Sequence, residues 1–368
     1  MKWMELEVQR IGRARILAIA CVSLSLACGA VAQAQAPAAN PKTPETCRAI
    51  REEKPRLACY DELFGAPEGT LFEQTPNPPV AAAPEPKPSS LLDQRWELTP
   101  DQKQGSFRVD PHKPVYLLAA FHASAANDMP SSPSENHSVL QSLGLQNTET
   151  KFQISLKSKL WEDVIGDSSD LWFGYTQSSR WQVFNGAQSR PFRETDYEPE
   201  LLLNFRTHRE LPLGWDLRMS GVSLTHVSNG RDVPQSRSWN RVIGQFGFDR
   251  PGWTVVVRPW WRIHEDRASD DNPDIEDFMG RGELLVTRNW GGHELSALFR
   301  HSLRGGERAH SGLELNWAFP IHGELKGYLQ YFSGYGESLI DYNHSANYVG
   351  LGVSLIEWYS NTAETQRR

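Results

Sequence analysis

Long apolar runs are what this 368-residue chain most conspicuously lacks. Past the N-terminal segment nothing approaches the ~18 apolar residues a membrane-crossing helix requires, and the mean hydropathy is -0.53, so a polytopic helical membrane protein is excluded. A membrane barrel is not, because its strands are only half apolar. A surplus of one charge is also missing: 38 Lys and Arg stand against 45 Asp and Glu, a net charge of -7, which gives no reason to expect nucleic acid as a partner. Cysteine is scarce, with four in all.

The N-terminal segment reads as an address. Arg10, Arg13 and Arg15 precede the apolar stretch Ile16 to Ala32, and Ala32-Gln33-Ala34 or Ala34-Gln35-Ala36 offers a small-x-small cleavage site. Residues 1–36 are therefore a secretory signal peptide. Cys21 and Cys28 leave with it, so Cys47 and Cys59 remain, twelve apart in an exported chain, where a disulfide is expected. Pro55 between them should split the segment 37–65 into two short helical pieces with Ala49, Ile50, Leu57, Tyr60, Leu63 and Phe64 on an apolar side. A small stapled periplasmic element is the expectation. The run of Pro, Ala, Glu and Ser that follows, with Pro76, Pro78, Pro79, Pro84, Pro86 and Pro88, reads as a spacer over 66–100.

From about Pro114 the pattern changes to period two. Phe152, Ile154, Leu156 and Leu160 share one face, while Gln153, Ser155, Lys157 and Lys159 share the other. Leu313, Leu315, Trp317 and Phe319 alternate with Glu314 and Asn316; Leu325, Leu329 and Tyr331 share a face opposed by Glu324, Lys326 and Gln330. About twelve such segments fit between residues 114 and 357, an even number suited to a closed antiparallel barrel. A soluble β-sandwich would alternate too, but the polar faces carry long charged chains that a dry core would not tolerate. With 13 Trp and 10 Tyr, many near segment ends (Trp161, Trp172, Trp181, Trp253, Trp290, Trp358, Tyr359), aromatic girdles are also available. The fold class is all-β: a twelve-stranded antiparallel transmembrane β-barrel over residues 101–359, with a short N-terminal periplasmic extension and a tail at 360–368.

The chemistry concentrates in Ser220 to Val242. Asn229-Gly230 and Val233-Pro234 are turn signals, so one strand should rise to about 228 and the next descend from about 237. A loop centred near Val233 sets 226 opposite 240 and 228 opposite 238, and opposed residues share a face. His226, Ser228 and Asn240 then converge beside Val222, Leu224, Val242, Phe246 and Phe248, on the lipid side, whereas Arg241 and Gln245 face the lumen. Polar side chains in lipid are functional candidates. A Ser beside a His supplies a nucleophile and its base, and an Asn amide oxygen can fix the tautomer without supplying charge.

The run His226-Val227-Ser228-Asn229-Gly230-Arg231, Pro234 and Ser236-Arg237-Ser238-Trp239-Asn240-Arg241 resembles the signature of the bacterial outer-membrane phospholipase A family. Pro191 to Pro199, Ser333 to Asn343 and Tyr175-Thr176-Gln177 match it as well, so the resemblance spans about 112–357. It implies calcium-dependent hydrolysis of acyl esters of glycerophospholipids and lysophospholipids (phospholipase A1 and A2 activity) by a homodimer in a Gram-negative outer membrane. Ser228 would be the nucleophile, His226 the base, Asn240 the orienting residue and the Gly230 amide an oxyanion donor. Calcium would take the Arg231 carbonyl and Ser236 hydroxyl of one subunit and Ser189 of the other; Gln177, on the lipid face with Leu171, Phe173 and Tyr175, would be a dimer contact. Val227 and Arg190 depart from the family pattern, and residues 1–100 match little of it. A non-catalytic barrel, either pore or structural protein, is the alternative.

Overall fold

The computed structural model describes residues 43–65, 90–190 and 192–359. The expected signal peptide, the spacer residues 66–89, Pro191 and the tail from 360 lie outside the described residues. Among the described residues no helix is long and apolar enough to cross a membrane. Crossing falls to strands.

The chain divides into two compact units. In the first, α1 (Pro44–Arg48) and α2 (Glu53–Phe64) are joined by the Cys47–Cys59 disulfide, with Cys47 buried. Thr43 caps α1 through a reciprocal pair with Thr46. The break between the helices falls at Ala49 to Glu52 rather than at Pro55, which sits in the first turn of α2, where a missing N–H costs nothing. The expected apolar side is not buried within this unit: Leu57 and Phe64 are exposed.

The second unit is the barrel. A two-residue bridge, β1 (Asp110–Pro111), precedes twelve strands: β2 (Val115–Ala123), β3 (Thr148–Trp161), β4 (Ser169–Trp181), β5 (Glu194–Leu211), β6 (Trp215–Ser228), β7 (Ser238–Arg250), β8 (Trp253–Arg262), β9 (Gly282–Trp290), β10 (His293–His301), β11 (Ser311–His322), β12 (Leu325–Tyr335) and β13 (Ser345–Ile356). Each pairs antiparallel with the next, and β13 pairs with β2, which closes the cylinder and leaves no barrel edge. Turns at 212–214, 251–252, 291–292 and 323–324 are tight, whereas 124–147, 182–193 and 263–281 are long. Short turns mark the periplasmic end and long loops the outer face.

Alternation sets what each face meets. Ile154, Phe173, Leu224, Phe246, Leu295, Leu315 and Leu351 point outward. Inward, charges are paired: Lys151 and Arg180 on Glu337 (2.8 and 3.0 Å), Arg258 on Glu200 and Glu283 (2.7 and 3.0 Å), and Arg241 on Glu198 (3.2 Å). All of these groups but Glu200 line a cavity of about 170 Å³, so ion pairs fill much of the lumen. At the periplasmic end a floor closes over it, in which Leu92 and Trp96 of α3 (Leu91–Trp96) and Leu98 pack on Trp172, Leu202, Met219, Val256, Leu285 and Tyr359. The Lys157 ammonium lies 4.2 and 4.1 Å from the rings of Trp96 and Trp172, and Asp93 pairs with Arg218.

Two expectations change here. Residues 91–98, read as spacer, are folded into the barrel, because a short apolar helix following a Pro-rich run has no periodic signature of its own. Trp172 and Tyr359, counted toward the girdles, are buried (1 and 6% exposed), unlike Trp161, Trp181 and Trp290. Parity decides Trp172: its neighbours Leu171 and Phe173 already take the lipid face.

Candidate active site

The β6–β7 hairpin carries the site. Outward positions run Val222, Leu224, His226, Ser228 on β6 and Ser238, Asn240, Val242, Phe246 on β7; Val227, Trp239 and Ile243 point inward. The pairing sets His226 against Asn240 and Ser228 against Ser238, as the loop arithmetic predicts. Behind them, Val227, Trp239 and Ile243 pack with Trp260, Ile275, Leu339 and Tyr342, the last two from the loop that follows β12. Arg241 covers Trp239 at 4.2 Å and Trp239 meets Trp260 edge-on at 6.3 Å, so the strands bearing the polar groups rest on a packed backing.

Asn229 shapes the loop. Its amide oxygen accepts from the Arg237 and Arg231 backbone N–H groups (3.0 and 3.3 Å), and its amide nitrogen donates to the Gln235 carbonyl at 2.8 Å. Gly230 follows at φ +62, and a Cβ there would lie 3.2 Å from the Tyr197 ring, so glycine takes the position without strain. The Arg231 guanidinium donates to the carbonyls of Phe192 and Arg193, tying this loop to the one that holds Ser189. Ser189 itself accepts from the Trp181 indole through its carbonyl at 2.8 Å.

His226 Nδ1 lies 2.8 Å from Asn240 Oδ1. Since an amide oxygen only accepts, Nδ1 carries the proton and Nε2 is left unprotonated on a neutral ring. Ser228 stands two residues on, on the same outward face as His226. The second Asn240 contact was not foreseen: its Nδ2 donates to Glu265 Oε1 at 3.0 Å.

Loop 263–281 supplies the other residues that sequence reasoning missed. Buried Asn272 accepts from the Ser238 backbone N–H and donates to the Ser238 carbonyl, both at 3.0 Å, continuing the sheet with a side chain. Asp271 accepts from the Ser236 hydroxyl at 2.6 Å and stands 3.0 Å from His137 Nε2. Asp270-Asp271-Asn272-Pro273-Asp274 is visible as a turn-rich run, but nothing in it says which strand it will touch. The donor set around Ser236 thus includes a carboxylate as well as hydroxyl and carbonyl oxygens, a chemistry that fits a hard cation.

Gln177 is not on this hairpin, yet the register aligns it: Gln177 pairs with Tyr197, Tyr197 with Ser228 and Ser228 with Ser238. One row of outward side chains therefore joins Gln177 to the candidate nucleophile, two strands or roughly 10 Å away. Its amide is partnered within the strand: Tyr175 Oη donates to Oε1 at 3.2 Å and Nε2 donates to Ser179 Oγ at 3.3 Å.

Residues 92–355 match the family model described as phospholipase A1. The chain is 36% identical over 343 residues to a putative phospholipase A1 of Neisseria meningitidis serogroup B, covering 83% of this chain and 89% of that one. It is 43% identical over 207 residues to the phospholipase A1 of Escherichia coli K12, covering 56 and 69%. Among solved structures it resembles the outer membrane phospholipase A of Escherichia coli (TM-score 0.61, 37% identity, 68% of this chain and 99% of that one). It likewise resembles the Salmonella typhi outer membrane phospholipase dimer with bound calcium (TM-score 0.64, 35% identity, 74 and 100%).

Proposed function

Because the chain belongs to the phospholipase A1 family of Gram-negative outer-membrane barrels, we propose that it hydrolyses acyl esters of membrane glycerophospholipids and lysophospholipids, at the first and second positions, with Ser228, His226 and Asn240. The observation that carries this reading is the 2.8 Å contact between His226 and Asn240 on the lipid-facing surface, which leaves Nε2 as the free base beside Ser228.

The chemistry follows from the placement. His226 Nε2 takes the Ser228 hydroxyl proton as Oγ adds to the acyl carbonyl carbon. The resulting oxyanion meets the Gly230 amide, held by the left-handed turn. When the intermediate collapses, the ester C–O bond breaks and the imidazolium protonates the departing glycerol oxygen; water then releases the acyl group from Ser228 by the same steps in reverse roles. The outward apolar residues Val222, Leu224 and Val242 provide a surface along which acyl chains lie.

Calcium is the cofactor of this reading. The Arg231 carbonyl and Ser236 hydroxyl, with Asp271 against the latter, would hold it together with Ser189 of a second copy; bound there, it would stabilise the developing oxyanion and so offset the charge that a neutral Asn does not present to the imidazolium. A homodimer completes that ligand set, and the row from Gln177 to Ser228 supports a contact between copies at the height of the nucleophile.

The test is phospholipid hydrolysis by refolded protein in detergent, wild type against Ser228→Ala, each with calcium and with chelator. Loss of fatty-acid release in both the variant and the chelated sample is expected. Equal release by Ser228→Ala would remove the triad, and ion conduction by a wild type without hydrolysis would favour a pore.

A further inference from the structure

Asn240 is sterically indifferent to its own orientation, because the oxygen and nitrogen of a carboxamide are nearly the same size. The two orientations have opposite consequences. With Oδ1 toward His226, Nδ1 holds the proton and Nε2 can accept one from Ser228. With Nδ2 toward it, Nδ1 must accept, the proton moves to Nε2, and the base is lost. Something must choose, and contacts to the imidazole alone do not.

The far side of the amide makes the choice. Asn240 Nδ2 donates to Glu265 Oε1 at 3.0 Å while Oδ1 lies 2.8 Å from His226 Nδ1. An ionised carboxylate only accepts, so a flipped Asn240 would set oxygen against oxygen. Resting on the Ser228-His226-Asn240 reading, we propose that Glu265 is a positioning residue that locks the Asn240 amide and thereby the His226 tautomer. Its place is built by the fold. The Ile263 N–H donates to the Asn240 carbonyl at 2.8 Å, carrying the β7–β8 pairing past Arg262, where β8 ends. The Arg262 guanidinium, held by Asp270 at 2.6 Å and by the Asn272 and Pro273 carbonyls, reaches within 4.0 Å of Glu265. Because Arg262 offsets part of the Glu265 charge, orientation rather than long-range attraction is the main effect.

The experiment measures kcat and KM for a phosphatidylcholine in detergent micelles with calcium. Wild type, Ser228→Ala, Asn240→Ala, Glu265→Gln, Glu265→Ala and the Asn240→Ala/Glu265→Ala double variant are compared, each checked for the folded barrel by its gel mobility before and after heating. Glu265→Ala should lower kcat about tenfold, the worth of one hydrogen bond to a charged acceptor, with KM nearly unchanged. Glu265→Gln, which can still present an oxygen, should recover part of the loss. In the Asn240→Ala background the Glu265→Ala effect should vanish, since the residue acts only through Asn240. Wild-type kcat in folded Glu265→Ala, or a loss undiminished when Asn240 is already absent, would overturn the inference and leave the triad standing. Full activity of Ser228→Ala would instead remove the reading on which it rests.

Discussion

The lumen and the outward face of the β6–β7 hairpin both hold polar side chains in a membrane barrel, and they treat them in opposite ways. Inside, Glu200 takes Arg258, His112 and Thr225, and Glu337 takes Arg180 and Lys151. Outside, His226 has one hydrogen-bond partner among the described residues, on Nδ1. The lumenal carboxylates are saturated by their partners, even though His112 Nδ1 and Arg258 Nε among those partners keep a nitrogen unpaired among the described residues. What sets His226 apart is that its open nitrogen stands beside a hydroxyl on an apolar outer face. The lumen spends its hydrogen-bonding capacity on stability, and the site keeps some in reserve.

The largest effect that could break this contrast is Ser228→Ala, expected to reduce lipid hydrolysis by ~10⁴-fold or more while the denaturation midpoint in detergent stays within error. Next is Glu337→Ala. It removes the carboxylate that Arg180 and Lys151 share, leaving Lys151 with the neutral Gln330 and Arg180 with Asp196, and should cost about 3 kcal/mol in guanidinium unfolding, while the molecules that remain folded keep Ser228-dependent hydrolysis. A smaller effect comes with acid. Burial penalises the Glu337 charge, but Arg180 and then Lys151 outweigh it and hold its pKa below the ordinary carboxyl value. A carboxylate depressed in the folded state contributes its full stability above its unfolded pKa and loses it as the pH falls toward the folded value. Wild type should therefore lose more stability than Glu337→Gln when acidified below about pH 4.3, as followed by tryptophan fluorescence. Smallest is Arg308→Ala. Arg308 donates to Asp277 at 2.6 Å from an exposed loop, and its replacement should leave melting and hydrolysis unchanged; a clear loss of stability there would mean that exposed pairs matter as much as lumenal ones.

Strand alternation made much of this legible in the sequence. The sum that sets 226 against 240 needs only a centred loop and period two, and both were readable between Asn229 and Arg237. Glu265 and Asp271 were not, because they sit in a long loop whose conformation comes from contacts such as Asn272 to Ser238 rather than from any period. Leu92 and Trp96 escaped notice because their partners come from five strands and from Tyr359 beyond the last of them, so no local window contains the reason they are buried. Gln177 was placed on the correct face, but its partners Tyr175 and Ser179 depend on rotamers that sequence does not specify.

The floor of the barrel also sets an order of events for the assembling barrel. It is made from α3, which precedes every barrel strand, and from Tyr359, which follows the last one. Glu294 accepts from the Tyr359 N–H at 2.9 Å, and Asn289 donates to the Tyr359 carbonyl at 2.6 Å. The first segment of this unit in the chain must therefore wait for nearly the last before its Trp and Leu side chains are fully covered. Until then an open barrel carries an exposed apolar stub at its periplasmic end, and the stub is sealed together with the pairing of the strand that closes the cylinder.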